Sequence, residues 1–398
     1  MTERETIVRI AAKGDGVTAT GRHVAGAVPG DTIEANGQII CGPHHADPPC
    51  RHFGTCGGCV LQHADERALA QFVKGRVLGA AQGQGLEPRE VLDTHLCAAG
   101  TRRRATLHAV RTAKGAMLGY REAGSHRIVD MRECHVLVPE LVALVPALRA
   151  FLGARGGKGA IDVQLTLSDQ GCDVALSNLR LEGLRETEAT LDFARENGLA
   201  RLSIDQGFGP ETVWEPEPVT VTLSNCPVPL PVGAFLQATI DAETRMTADA
   251  QRWAGEAKTV LDLFAGLGTF AFALAGRAKV LAAEADRAAH LACATAARTA
   301  GASVFAQHRD LFRNPYQPAE LDRFDAVLLD PPRAGARTQV AELAKSTVSR
   351  VIYISCNPSS WARDAALLRD AGFALAQLRP VGQFRWSTHV ELTSVFER

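Results

Sequence analysis

Cys356 is the residue whose setting most favours nucleophilic chemistry. It follows the run VIYIS at 351–355, whose β-branched and aromatic residues predict a buried parallel strand, and Pro358 ends that strand. In an open α/β sheet, ligands bind beyond the carboxyl ends of the strands. The sequence therefore predicts a nucleophilic thiol facing a cleft. The alternative is a buried, inert cysteine.

Two further stretches bring charged side chains to the same cleft. Asp330 begins the sequence DPPR at the end of another predicted strand, and its two prolines make a rigid loop. Enzymes that methylate amino groups usually carry an aromatic residue after such prolines, so Arg333 argues against that chemistry. Glu391 lies at the start of the last predicted strand, 390–397, where it could remove a proton from a group held by Cys356.

A group of cysteines predicts a metal centre. The spacing is C-x5-C-x2-C, and two glycines separate the last pair, so the backbone can wrap closely around an inorganic centre. With one more thiolate from a distant segment, the set fits a [4Fe–4S] cluster. The rival is zinc, held by the four thiolates or by three of them and a histidine such as His52 or His63. The candidate ligands are Cys50, Cys56, Cys59 and Cys134.

A glycine turn predicts a nucleotide-like cofactor. Gly266 and Gly268 follow the predicted strand 259–264 and precede a helix, which lets the backbone approach a ligand. The third glycine of a dinucleotide site is absent. The next strand ends in a carboxylate suited to ribose hydroxyls, and S-adenosylmethionine, a cationic nucleoside, fits such acidic surroundings. The carboxylates of this pattern are Asp262, Glu284 and Asp310.

Composition sets the class of protein. The 398 residues predict two or three domains, and 46% hydrophobic with 22% charged residues is typical of a globular chain. No apolar run reaches the length of a membrane span and the first residues lack signal-peptide character, so we expect a cytoplasmic protein without membrane contact. Because the net charge is only -1, RNA binding would need a local patch. The hairpin predicted at 101–121, with Arg102, Arg104 and Arg121 exposed, is the candidate.

The elements divide the chain into three domains. Residues 1–46 have short strands, one of them predicted over 21–28, and Gly/Pro turns, as in a small β-barrel. Residues 47–231 hold the cysteine loop and an α+β region that we interpret as RNA-binding. In residues 232–398 strands alternate with helices, which predicts a doubly wound parallel sheet of the α/β class.

The order of these motifs resembles that of the RNA uracil-5-methyltransferases, and most closely their iron–sulfur branch, which modifies 23S ribosomal RNA. The resemblance covers nearly the whole chain. It implies a TRAM domain at the N-terminus, a central RNA-binding domain and a class I, Rossmann-like methyltransferase domain. It also implies that the four cysteines bind the cluster. Thr239 and Thr269 depart from the family, which commonly has asparagine there. The residues that the resemblance assigns to S-adenosylmethionine are Gln237, Phe264, Glu284 and Asp330.

The resemblance implies methylation of uridine carbon 5 by a monomeric enzyme. Cys356 would add to carbon 6 of the uracil as a thiolate, and we expect the site to lower its pKa. Glu391 would later remove the proton from carbon 5. The uridine would be flipped out of its stack, with Phe235 as a surface against it. The alternatives are a tRNA uracil-5-methyltransferase, an RNA cytosine-5-methyltransferase, and a non-catalytic RNA-binding assembly factor.

Overall fold

The N-terminal segment is a five-stranded antiparallel half-barrel. The computed structural model describes residues 4–113, 115–155 and 159–398. The strands of the half-barrel pair in the order β3-β2-β1-β4-β5 around Ile7, Ala27 and Ile33. A strand predicted over 21–28 is reduced to two residues, because Gly21 and Gly26 at its ends have φ of 90° and 73°. The strands are β1 (Glu5–Ile10), β2 (Gly16–Thr18), β3 (His23–Val24), β4 (Thr32–Ile33) and β5 (Ile39–Ile40).

The middle of the chain forms a six-stranded sheet in the order β13-β12-β11-β10-β8-β9, with a separate two-stranded hairpin, β14-β15. Alternating buried residues on β8 and β10 pack against the helix α2. The elements are α1 (Glu66–Gln82), β6 (Glu90–Val91), β7 (His95–Leu96), β8 (Arg104–Thr112), β9 (Gly115–Gly119), α2 (Pro139–Gly153), β10 (Ala160–Ser168), β11 (Gly171–Ser177), α3 (Gly183–Glu196), β12 (Arg201–Asp205), β13 (Pro210–Trp214), β14 (Thr220–Leu223) and β15 (Cys226–Pro229).

The C-terminal segment has the predicted doubly wound sheet. Five parallel strands in the order β18-β17-β16-β19-β20 continue into an antiparallel pair, β22 and β21. The elements are α4 (Ile240–Ala254), β16 (Thr259–Leu263), α5 (Thr269–Leu274), β17 (Lys279–Glu284), α6 (Arg287–Ala300), β18 (Val304–His308), α7 (Pro318–Leu321), β19 (Ala326–Leu329), α8 (Arg337–Lys345), β20 (Arg350–Ser355), α9 (Pro358–Asp370), β21 (Ala374–Gly382) and β22 (Glu391–Glu397).

Continuous apolar runs explain why this sheet is central. Every residue of β19 is buried, as are five of the six in β20, because helices cover both faces of a doubly wound sheet. Strands β6 and β7, from the middle of the chain, pair with the edge strand β21 and so extend the same sheet. Within the described residues, no helix has both the length and the apolar character needed to cross a membrane.

Candidate active site

Cys356 lies in a tight strand-to-helix connection. Strand β20 ends one residue before it, and Asn357 is the N-cap of α9, where its side-chain oxygen accepts the N–H of Ser359 at 3.1 Å. The Asn357 amide nitrogen also donates to the carbonyl oxygen of Arg333 at 2.9 Å, which ties the thiol loop to the loop after Asp330. The Asn-Pro pair is a helix-start signal that the sequence analysis missed.

The pairing of β20 with β22 brings the thiol opposite the carboxylate. The two strands are antiparallel, and Ser355 pairs with Leu392 at the end of the ladder. Continuing that register by one residue places Cys356 opposite Glu391, and opposite residues project from the same face of a sheet. The structure thus brings these two side chains together, although 34 residues of chain separate them.

Burial determines the protonation of Glu391. Its side chain is only 5% exposed. Burial raises the pKa of this carboxyl to about 7, although a hydrogen bond with Gln383 and the charges of Arg104 and Arg333 act in the opposite direction. A carboxylate with that pKa is well matched to accepting a proton near neutral pH.

The protein alone does not activate the thiol. We expected the site to lower the pKa of Cys356, and this expectation is wrong for the protein alone. Burial raises the pKa, and repulsion by Glu391 and by Asp330 adds to the rise. The charge of Arg333 and a backbone hydrogen bond of Cys356 offset part of it. Burial and the charge of Glu391 raise the pKa of Asp330 as well. A positive charge bound beside Asp330 would therefore lower the pKa of the thiol.

Arg333 is held by a histidine. Its guanidinium donates to Nδ1 of His389 at 2.7 Å, so that nitrogen must be an acceptor and the imidazole must be neutral. Burial and three arginines lower the pKa of His389, which favours this neutral form. No local sequence pattern around His389 indicates this role.

The end of the next strand is hydrogen-bonded to the glycine turn. Glu284 accepts the N–H of Gly266 at 2.8 Å and the N–H of Asp286 at 2.7 Å, which fixes its carboxylate beside the turn. Gly268 has a φ of 93°, and a Cβ there would lie 2.8 Å from the ring of Phe272. This position therefore requires glycine. Asp262 lies behind the turn and is fully buried. Burial raises the pKa of this carboxyl to about 8, although the backbone N–H of Ala271 acts in the opposite direction.

Two aromatic rings stand beside this turn. Phe264 has a φ of 64°, a strained backbone for a residue with a side chain, and its ring centroid lies 5.5 Å from that of Phe312. Both rings line a cavity of about 180 Å³ with the loop that precedes α8. Asp310 bonds within its own loop, where it accepts the N–H of Phe312 at 3.0 Å and the N–H of Arg313 at 3.3 Å.

The middle of the chain contributes arginines to the active-site cleft. We expected Arg102 and Arg104 to be exposed, and this is wrong: both are half-buried over aromatic rings, and only Arg121 is exposed. The guanidinium of Arg104 lies 4.4 Å from the ring centroid of Phe235, whose side chain remains 60% exposed. Such an exposed, cation-backed ring could stack on a nucleobase.

The four cysteines come together although the fourth is distant in sequence. Cys50, Cys56, Cys59 and Cys134 line one cavity with Tyr120 and Arg102. Burial raises the pKa of Cys59 to about 12, and the neighbouring thiols add to the rise. The N–H of Gly58 points at the Cys56 sulfur, 3.5 Å away, a contact suited to a thiolate. Cys50 also lies near Glu133 and His135, but the Glu133 carboxylate is paired with Arg51.

The chain is similar in sequence to known RNA methyltransferases. The model of the tRNA (uracil-5-)-methyltransferase family matches residues 230–398. The chain is 47% identical to an RNA methyltransferase of Zymomonas mobilis, over 98% of this chain and 99% of that one. It is 30% identical to the 23S rRNA (uracil(1939)-C(5))-methyltransferase RlmD of Xanthomonas axonopodis, over 97% and 94%.

One solved structure is similar over the same length. The Pyrococcus abyssi tRNA (uracil-54, C5)-methyltransferase in complex with S-adenosyl-L-homocysteine matches with a TM-score of 0.74 and 19% identity, covering 99% of this chain and all of that one. At that identity the match shows the fold alone. The sequence matches that span the whole length show more: the chain belongs to the RNA uracil-5-methyltransferase family of S-adenosylmethionine-dependent enzymes.

Proposed function

We propose that the protein methylates carbon 5 of a uridine in RNA through a covalent adduct between Cys356 and carbon 6. The observation that carries this proposal is the register of β20 and β22, which sets the thiol opposite Glu391. A nucleophile and a base on the same side of a cleft are what the two halves of this reaction require.

The reaction has two stages. The Cys356 thiol loses its proton to solvent, the thiolate forms a bond to carbon 6, and the electron pair of the 5,6 double bond moves towards carbon 5, which makes it nucleophilic. S-adenosylmethionine would supply the methyl group that carbon 5 takes and would leave as S-adenosylhomocysteine. Glu391 then accepts the proton from carbon 5, the C–H electrons restore the double bond, and the thiolate leaves carbon 6.

We assign the methyl donor to the region between the glycine turn and Asp330. The Glu284 carboxylate, fixed by two backbone N–H groups, keeps lone pairs for the ribose hydroxyls. The rings beside the turn give an apolar slot for a base. Asp330 faces the amino acid and sulfonium portion in this assignment, and the positive charge of the donor would favour the ionised form of its carboxyl. The proposed contact residues are Gln237, Phe264, Gly266, Gly268, Glu284, Asp310 and Asp330.

We place the flipped uridine against Phe235. This ring is exposed on one side and backed by Arg104 on the other, so it can replace the stacking that the base loses.

We propose a [4Fe–4S] cluster held by Cys50, Cys56, Cys59 and Cys134. The four side chains line one cavity, and four thiolates are the usual ligands of such a cluster. Zinc bound by the same four thiolates is the rival, and analysis of iron and labile sulfide separates the two.

Replacing Cys59 with serine should remove the cluster. Since the cluster would cross-link the loop at 50–59 to Cys134, we expect the unfolding temperature to fall by about 5 °C or more. Iron and labile sulfide analysis, the brown absorbance and thermal unfolding would measure this. The exposed Cys41→Ser is the control and should retain iron. A wild-type protein that contains stoichiometric zinc and no sulfide would overturn the assignment.

We favour 23S ribosomal RNA as the substrate, because the relative named for that activity is 30% identical over nearly the whole chain. The second candidate is tRNA, which the names of the matching family and of the similar structure favour. Because one chain supplies both sides of the cleft, we propose a monomer that acts in the cytoplasm. Mass spectrometry of both RNAs from a deletion strain tests this: loss of 5-methyluridine from 23S RNA supports our choice, loss from tRNA supports the second, and no loss from either contradicts the function.

A further inference from the structure

Gln383 is buried between the proposed methyl-donor site and Glu391, the proposed catalytic base. It directly follows β21 and is 2% exposed. Its side-chain oxygen accepts the backbone N–H of Thr239 at 3.2 Å, and its nitrogen donates to the side-chain oxygen of Gln237 at 3.1 Å. The nitrogen of Gln237 then donates to Asp330 at 3.2 Å.

The direction of this chain of amides is fixed by the backbone. A peptide N–H can only donate, so the N–H of Thr239 requires the oxygen of Gln383 on its side. The nitrogen of Gln383 must then face Gln237, which in turn must present its own nitrogen to Asp330. Reversing either amide would set oxygen against oxygen inside a buried site. Thr239 is itself fixed, because it is the N-cap of α4.

The side-chain amide of Gln383 also lies beside Glu391. In the antiparallel ladder Val381 is the partner of Glu391, and Gln383, two residues further on, is its diagonal neighbour on the same face. A hydrogen bond with Gln383 opposes the effect of burial on the pKa of Glu391. With its oxygen bound to Thr239, Gln383 can offer Glu391 only N–H, which favours the ionised carboxylate.

We propose that Gln383 is a positioning residue, which holds Glu391 as an aimed carboxylate and locks the Gln237 amide towards Asp330. This inference rests on the proposed function. It assigns Gln383 to one step, the removal of the carbon 5 proton, in which the C5–H bond breaks, Glu391 gains the proton, the 5,6 double bond re-forms and the C6–S bond to Cys356 breaks.

The test uses the full-length protein and two versions of one transcript of the target RNA. One version carries tritium at carbon 5 of uridine, so tritium release reports proton removal. The other carries 5-fluorouridine, in which no proton can leave, so the methylated adduct accumulates without any need for a base. Gln383→Leu should slow tritium release by about tenfold to a hundredfold, the range for a hydrogen bond to a charged group. Adduct formation with 5-fluorouridine should stay within about threefold of wild type.

The control is the same substitution in a remote amide. Gln170 clamps Thr220 through both of its side-chain atoms, at 2.8 and 2.9 Å, in the middle of the chain. Gln170→Leu should leave both rates near wild type. If Gln383→Leu slows both reactions equally, or neither, the positioning role is overturned. A wild-type protein that forms no adduct with 5-fluorouridine RNA would instead overturn the proposed function.

Gln383→Glu gives a second test with nearly unchanged shape. Protonated, the new carboxyl can donate as the amide does. Once ionised it can only accept, and it repels Glu391. Tritium release should therefore be nearest to wild type at low pH and should fall as the pH rises, whereas in wild type it rises through the pKa of Glu391. An unchanged pH profile would contradict the inference.

Discussion

Replacing Cys356 with alanine should abolish methyl transfer. Without the thiol no bond forms to carbon 6, carbon 5 gains no nucleophilic character, and we expect the rate to fall on the order of 10⁴-fold or more. The measurement is incorporation of labelled methyl groups into RNA, together with the shift of the protein band caused by covalent RNA on a denaturing gel. Both signals should be lost.

A matched control separates loss of chemistry from loss of structure. Cys172 is half-buried like Cys356, but it lies on β11, where its sulfur is 3.9 Å from the backbone carbonyl oxygen of Glu140. Cys172→Ala should retain methyl transfer. The Cys356→Ala protein should still bind S-adenosylmethionine, since the glycine turn and Glu284 lie on other strands. Residual adduct in this variant would show that another residue is the nucleophile.

Glu391→Gln should trap the reaction half-way. Addition and methyl transfer precede the step that needs the base, so methylated RNA should remain attached to Cys356 while release slows by about 10²-fold to 10⁴-fold, the usual contribution of a general base. Quantifying the adduct over time measures this. Rapid release from the variant would exclude Glu391 as the proton acceptor.

The Glu391→Gln substitution, which should slow the reaction, should stabilise the folded protein at high pH. Because the pKa of Glu391 is raised from 4.5 to about 7 on folding, the unfolded chain binds fewer protons between these values, and stability falls as the pH rises through them. Removing the charge should therefore stabilise the Glu391→Gln protein at pH 8 by up to about 3 kcal/mol, with the difference shrinking towards pH 5. Thermal unfolding at the two pH values checks this, and equal differences at both would contradict it.

Local sequence patterns predicted most of the helices and strands, and the predictions that were wrong have clear physical causes. Apolar runs located the parallel strands because burial on both faces leaves no polar alternation. The pattern failed at Gly21 and Gly26, where positive φ shortens a strand. It also failed at Arg102 and Arg104, because a strand that looks half-exposed by itself is covered by aromatic rings from another part of the chain.

The sequence by itself determined which groups could do chemistry: a thiol and an acid at strand ends, a glycine turn, and cysteines with metal-ligand spacing. These depend on residue type and short spacing, which the chain carries locally. Only the tertiary structure decided that Cys356 faces Glu391, that burial gives this carboxyl a pKa near 7, and that Gln383 joins it to Gln237. Register, burial and hydrogen-bond direction arise between segments distant in sequence, so no local pattern contains them.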